Sequence, residues 1–366
     1  MLATVLLLAA AATLLAVGAL FVSGLVHRGR RARSEAARLR ARTPLPLVVV
    51  ARAEHGDDVF TVELEHAQKK RLPAFAPGQA LTLLVPGTTL RRRYSLAAWA
   101  RRPRRYRLGI RREADGAASP RLYDHLRVGA RIDALPPVGH FVLDPAHETL
   151  VLVGGGIGAT PMLAMLDAVA VRPGQRRVVF HQAARHAAEL VDHARLADLA
   201  ARADWFDYRP IVSRPDANWR GAAGRLAAAD LVAGLAEPAR AHYYFCARES
   251  VMREWMDALA ARGVPASQLH WESFGGAANA DTTAYPVELD GVVREFAGEP
   301  SLLAAFERWG VSLPAECRAG ECGACRMRLV SGELADCQTS HITLPPGQFL
   351  ACCKAPKSAL VLARVA

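Results

Sequence analysis

The chain has 366 residues, 51% of them hydrophobic and 22% charged, which excludes bulk disorder, collagen and a disulfide-stapled miniprotein and leaves room for two or three packed domains. The formal charge of +11 is unevenly spread: seven Arg between Arg28 and Arg42 stand against Glu35 alone, a local +6, so the remaining +5 is dispersed over the rest and no nucleic-acid partner is expected.

Ahead of that Arg cluster, Leu2 to Val26 is an uncharged run of 25 residues. At about 1.5 Å per residue a helix of this length exceeds the roughly 30 Å hydrocarbon core. The run predicts a transmembrane helix over 2–26, followed by an Arg-rich juxtamembrane segment over 27–43. Positive charge follows the apolar run and does not precede it, which favours an anchor over the alternative, a cleaved signal peptide. The positive-inside rule then predicts a single pass through the inner membrane of a bacterium, with the N-terminus outside and all later domains in the cytoplasm. Thiols stay reduced there, so Cys246, Cys317, Cys322, Cys325, Cys337, Cys352 and Cys353 are expected to be metal ligands, catalytic or inert, and not disulfides.

Residues 44–146 read as short alternating strands broken by Pro and Gly, the pattern of a small antiparallel barrel. From 147 to 274 buried apolar strands (LVLVGG, RRVVFHQ, FDYRPIVS, AHYYFCA) alternate with Ala-rich helices, which predicts an α/β domain on a parallel sheet. The small, polar stretch 275–283 reads as a linker. Residues 284–366 return to short strands around one helix and a cysteine loop. The expected fold is therefore multidomain.

The loop CRAGECGAC holds Cys317, Cys322 and Cys325 as C-x4-C-x2-C, with further cysteines downstream in GQFLACCKAP. Plant-type [2Fe-2S] clusters take three thiolates from such a loop and one from a distant strand. Cys352 is favoured as the fourth ligand over Cys353, and Cys337 is a spare candidate. A zinc site would ordinarily present two short C-x2-C pairs. Gly320 and Gly323 are expected to let backbone N–H groups turn toward the cluster without crowding it. Residues 284–366 thus resemble a plant-type ferredoxin domain of β-grasp (α+β) fold.

Arg92-Arg93-Tyr94-Ser95-Leu96 ends a strand, and alone it is weak evidence: an Arg can pair with a phosphate, a Tyr face can stack on a flavin, and a Ser can bond a ring nitrogen. It is followed by YRLGIRREADGAASPRLYDHLRVG, LPPVGHFVLD and LVLVGGGIGATPMLAML. The glycines in the last would allow close approach to a pyrophosphate at a helix N-terminus. In this order, over residues 46–274, the motifs resemble the ferredoxin-NADP+ reductase superfamily, most closely flavohaemoglobin reductase parts and the flavin reductases of multicomponent oxygenases.

That resemblance implies a flavin, FAD with FMN as the alternative, held by Arg92, Tyr94, Ser95, Leu96, Gly109, Ile110, Arg111, Gly116, Ala118 and Ser119. It implies a nicotinamide coenzyme, NADH or NADPH, at Gly154, Gly155, Gly156, Ile157, Gly158, Thr160 and Pro161, with Ser213 and Arg214 near a 2′-phosphate position. Tyr94, Ser95, Cys246 and Glu272 are the implied catalytic residues, and Phe274 would close the module near the flavin. Ala247 and Arg248 depart from the superfamily's usual Gly and Pro after the cysteine.

Taken together these parts imply an NAD(P)H-dependent oxidoreductase. Electrons would pass from NAD(P)H to FAD to a [2Fe-2S] cluster held by Cys317, Cys322, Cys325 and Cys352, and on to a redox partner protein: a terminal oxygenase, hydroxylase or desaturase. The alternatives are a subunit of a respiratory NADH:quinone-type complex, against which the C-terminal place of the ferredoxin domain counts, or direct reduction of quinone, ferric chelates or oxygen.

Overall fold

The structure, a computed structural model, describes residues 43–114, 116–274, 279, 281–320, 322–340 and 342–365. One unit spans Pro46–Ala366 and holds three larger sheets and a two-stranded one. The expected fold class requires one correction. No helix among the described residues is long and apolar enough to cross a membrane, and the run at 2–26, with most of the Arg-rich segment, lies outside them. The longest described helix has 13 residues, which spans only about 20 Å, and it is apolar because it is core. The transmembrane element is therefore withdrawn from the fold class.

The first sheet is built from β1 (Leu45–His55), β2 (Val59–His66), β3 (Ala80–Leu84), β4 (Arg91–Ser95), β5 (Arg105–Arg111) and β6 (Arg131–Val138), in the order β4-β3-β6-β1-β2-β5. A bridge between Leu96 and Leu108 joins the ends of the two edge strands, so the sheet curls into a barrel. Leu47, Val49, Phe60, Val62, Leu64, Leu81, Leu83, Leu108 and Ile110 fill it. A short helix, α1 (Ser119–His125), joins β5 to β6, with Pro at its first turn where a missing N–H costs nothing.

The second sheet is parallel and contains β7 (Thr149–Gly155), β8 (Arg177–Ala184), β9 (Phe206–Val212), β10 (Ala222–Ala223), β11 (His242–Ala247) and β12 (Leu269–Ser273). Its helices are α2 (Ala159–Val171), α3 (His193–Arg202), α4 (Ala228–Val232) and α5 (Glu249–Ala260). The order β10-β9-β8-β7-β11-β12 shows the chain building outward from β7 in one direction and then crossing to β11 on its other side. The crevice at the C-terminal ends of β7 and β11 is thus the switch point where open α/β sheets bind ligands. Helix α2 is buried along most of its length because it lies against both this sheet and the barrel: Met162, Leu163, Met165 and Leu166 share one core with Leu150 and Leu152 of β7 and with Val59, Ala97 and Phe141.

The third sheet, order β14-β13-β19-β15-β17, takes β13 (Ala284–Leu289), β14 (Val292–Ala297), β15 (Arg326–Ser331), β17 (Gln348–Leu350) and β19 (Leu360–Arg364). Strands β16 (Leu334–Asp336) and β18 (Lys354–Pro356) pair separately. The parallel β13–β19 pair among antiparallel neighbours, covered by α6 (Leu302–Arg308), is a β-grasp arrangement. Leu302, Leu303, Ala305 and Phe306 of α6 pack on Val287, Phe296, Met327 and the buried Cys325 and Cys352. The Ser301 hydroxyl caps the helix by accepting from the Ala304 N–H at 3.3 Å.

Candidate active site and cysteine loop

Strand β12 ends beside Cys246 of β11 and carries Glu272, which is 3% exposed. Across the domain seam, β4 of the barrel presents two donors to it. Arg93 Nη2 donates to Glu272 Oε1 at 3.1 Å, and Ser95 Oγ donates to Oε2 at 2.9 Å. A carboxylate this deep is tolerable because both oxygens are engaged and one partner is cationic. The sequence reading had singled out Ser95 and Glu272, 177 positions apart, and the fold brings them into contact. Arg93 it passed over, because nothing in an Arg-Arg-Arg run shows which guanidinium turns inward.

Next to this pair, Arg92 is half-buried. Among the described residues its guanidinium donates to the Arg91 carbonyl at 2.8 Å and pairs with no carboxylate. Burial lowers its pKa, against the favourable influence of Tyr94. A sequestered guanidinium without a counter-ion fits a phosphate. Burial likewise pushes the Tyr94 phenol well above its ordinary range. Leu96, Ile110 and Ala118 are buried. Ser119 Oγ accepts from the Glu113 N–H at 2.9 Å, which tightens the loop, and a Cβ on Gly116 would come within 3.0 Å of that hydroxyl.

The coenzyme loop explains its glycines by contact. A Cβ on Gly154 would stand 2.6 Å from the Ala159 Cα, and one on Gly158 would run into the Cys246 carbonyl oxygen. Gly156 has φ +59°, open to glycine at little cost. Gly155 faces Ala247, where its Cβ would lie 2.8 Å from the alanine methyl, so Gly155 makes room for the residue that departs from the superfamily pattern. Gly109 of β5 is pressed against the same loop, its Cβ position 2.5 Å from Thr160 Cγ2 and 2.8 Å from Ile157 Cδ1. Thr160 Oγ1 donates to the Ile157 carbonyl, and Pro161 is buried in the first turn of α2. Arg111, expected at the flavin, is held in an ion pair with Glu189 at 2.7 Å beside this loop. Ser213 and the exposed Arg214 follow β9, their N–H groups donating to the Ala184 and Arg185 carbonyls. Cys246 is fully buried at the end of β11.

In the third domain the cysteine loop curls on its own sulfurs. Cys317 Sγ accepts from the N–H groups of Ala319 (3.4 Å) and Cys322 (3.3 Å), and Cys322 Sγ accepts from Ala324 N–H (3.5 Å). A hydrogen bond between the Cys317 and Cys322 thiols, then burial, holds Cys322 far above the ordinary thiol range; a bond to Cys352, then burial, does the same to Cys325. Four thiols gathered so closely ionise together only around compensating positive charge, which fits an iron–sulfur centre. Cys353 Sγ lies 3.6 Å from Cys352 Sγ and also reaches the Thr339 carbonyl, while Cys337 turns its sulfur toward the Cys352 carbonyl. Gln338, which sequence reasoning missed, donates to the carbonyls of Arg318 (2.7 Å) and Cys352 (2.6 Å) and staples the loop to the distal strand. Gly320 and Gly323 both have positive φ; at Gly320 a Cβ would strike Thr339 O (2.5 Å) and Cys353 Sγ (2.8 Å).

The two centres share one cleft, lined by Arg93, Ser95, Glu272, Ser273 and Phe274 on one side and by Cys317 and Ala319 on the other. Phe274 is 40% exposed at its rim. Arg91 reaches Glu316 at 3.4 Å across the same seam, and burial, then the neighbouring Arg92, lowers the Arg318 pKa to about 10.

Residues 287–357 match the family of 2Fe-2S iron-sulfur cluster binding domains, and residues 152–256 match the family of oxidoreductase NAD-binding domains. The stachydrine N-demethylase reductase subunit Stc4 of Rhizobium meliloti (strain 1021) is 30% identical over 334 residues, covering 85% of this chain and 94% of the relative. The chain belongs to this family of reductase subunits. The structure of phthalate dioxygenase reductase, a modular structure for electron transfer from pyridine nucleotides to [2Fe-2S], superposes on this reductase with a TM-score of 0.62 at 26% identity, covering 87% of this chain and 98% of that one. A flavohemoprotein of Burkholderia sp. (strain TH2) is 34% identical over 238 residues; the chain spans 60% of its length and the match takes in 64% of this chain. FAD, a nicotinamide coenzyme and a [2Fe-2S] cluster are the cofactors of this reductase family, of the ferredoxin-reductase type.

Proposed function

We propose that this reductase passes electrons from NAD(P)H by way of FAD to a [2Fe-2S] centre and on to the terminal component of an oxygenase system, the class to which a demethylase or hydroxylase also belongs. The bound flavin supplies the exchange between a two-electron hydride donor and a one-electron acceptor. Cys317, Cys322, Cys325 and Cys352 hold the cluster iron. Arg92 binds the flavin phosphate and Tyr94 packs on its ring. Ser95, its hydroxyl oriented by Glu272, presents a hydrogen-bonding group to the flavin, while Arg93 holds the other oxygen of that carboxylate. Gly154 to Gly158 let the coenzyme pyrophosphate approach the start of α2, and Cys246 and Phe274 border the nicotinamide side. Arg214 offers a cation for a 2′-phosphate.

The observation that carries this reading is the shared cleft, in which Ser95 and Glu272 face the same space as Cys317. Relatives named as reductase subunits of demethylase and dioxygenase systems support an oxygenase partner. Anaerobic addition of NADH and, separately, NADPH should bleach the flavin absorption and raise the rhombic EPR signal of a reduced [2Fe-2S] cluster, the more effective coenzyme identifying itself. A bleached flavin over an EPR-silent protein would leave a plain flavin reductase.

A further inference from the structure

Three histidines meet at the opposite end of the parallel sheet. His242 opens β11, His270 is the second residue of β12, and His147 lies on the connector that leads from the barrel into β7. The coenzyme loop touches β11 at Cys246, four residues further along the strand, about 13 Å away at about 3.3 Å per residue. The cluster therefore belongs to neither centre described above.

We propose that His147, His242 and His270 form a binding site for a divalent cation of the zinc class, a clasp that fastens the connector to the back edge of the NAD-binding sheet. His242 Nδ1 and His270 Nε2 face each other at 3.2 Å, and a ring nitrogen of His147 completes a set lying within 4.8 Å of one another. Tetrahedral zinc with Zn–N bonds of about 2.0–2.1 Å holds its nitrogens about 3.3 Å apart, so the His242–His270 edge already has the required length. The other nitrogen of His147, Nδ1, is bonded to the Tyr244 hydroxyl at 2.9 Å, and that hydroxyl also accepts from the Asp144 N–H at 3.1 Å. Asp144 Oδ2 lies 3.7 Å from His147 Nε2 but outside the three-histidine set, so a water completes the coordination of a bound cation.

The rings are also packed in a way that apolar stacking does not favour. His147 and His242 lie face to face with centroids 3.3 Å apart and planes within 10°, closer than the roughly 4.5–7 Å offset arrangements that aromatic pairs prefer. Binding requires His147 to swing off this stack by rotation about its Cβ–Cγ bond, giving up the Nδ1 contact with Tyr244. All three rings are partly exposed, which gives a cation its path in. Three imidazole nitrogens in a tetrahedral set select zinc over calcium or magnesium, which take oxygen donors.

The test uses the holoprotein, flavin and cluster in place, titrated with zinc sulfate, desalted, and analysed for zinc per flavin and by zinc K-edge absorption. One zinc per chain with only nitrogen and oxygen neighbours at about 2.0 Å is expected. His242→Gln and His270→Gln should each weaken zinc binding at least tenfold, with flavin and cluster absorption and NAD(P)H-dependent ferricyanide reduction unchanged. No retained zinc, sulfur neighbours at about 2.3 Å, or equal retention by both variants would each overturn the proposal. The absorption measurement on the unaltered protein decides the ligand set even if a variant folds poorly.

Discussion

The coenzyme loop Gly154–Gly158 and the cysteine loop Cys317–Cys325 both carry closely spaced glycines, but for different physical reasons. In the first, Gly154, Gly155 and Gly158 sit in ordinary backbone conformations and are required because neighbouring chain fills the space where a Cβ would go. In the second, Gly320 and Gly323 are both left-handed, and the turn itself demands them. The first loop is shaped mainly by what it packs against, with Gly156 alone left-handed, and the second mainly by its own turns, with Gly320 also pressed against Thr339 and Cys353. The first should therefore respond more to changes in β11 than the second does.

The most severe way to separate the two regions is Cys322→Ser. Cluster iron and EPR signal should be lost and electron delivery to an oxygenase partner should fall at least 100-fold, while NAD(P)H-dependent ferricyanide reduction persists. Collapse of both activities would show that the two regions do not work independently. Next, Glu272→Gln removes one partner of a buried ion pair, for which about 3–5 kcal/mol of stability is expected to be lost. Denaturant unfolding measures that loss, and stopped-flow flavin reduction should slow along with it.

Gly158→Ala forces a methyl into the Cys246 carbonyl and should cost about 1–3 kcal/mol, with weakened coenzyme binding and an unchanged cluster signal. Gly323→Ala meets only Ile342 Cδ1 at 3.0 Å, so its cost is mainly the left-handed backbone, about 1–2 kcal/mol, read in cluster retention on warming. The smallest effect is expected at the seam between α5 and the ferredoxin-like domain. There the Thr339 hydroxyl bridges Glu249 (3.3 Å) and Arg253 (3.1 Å), and Thr339→Val should change stability by less than about 1 kcal/mol. A larger loss there would mean that this contact, and not the cleft alone, sets the docking of the two domains.

Much of the site was legible because its chemistry is local. C-x4-C-x2-C names three sulfurs of one loop, and a glycine run between an apolar strand and a helix names a phosphate-approach turn. Arg111 shows the limit. The resemblance implied a flavin contact for it, and what the sequence left unseen is that the neighbouring domain presents Glu189 to its guanidinium at 2.7 Å. Gln338 left no signal at all, since its value lies in two carbonyls, 20 and 14 positions away, that only the folded loop brings within reach. The histidine cluster was equally silent: three single histidines in three segments become neighbours only through the parallel register of β11 with β12 on one side and β7 on the other.

By itself, the sequence determined the order of barrel, α/β and ferredoxin-like modules and the spacing of the cysteine loop, because hydrophobic period and ligand spacing are properties of consecutive residues. Tertiary structure alone decided which of the adjacent arginines turns inward to Glu272 and that the cleft beside Glu272 also takes in Cys317. Those outcomes depend on strands from different sheets meeting at a seam. Burial and charge pairing across that seam choose among side chains that the sequence leaves equivalent.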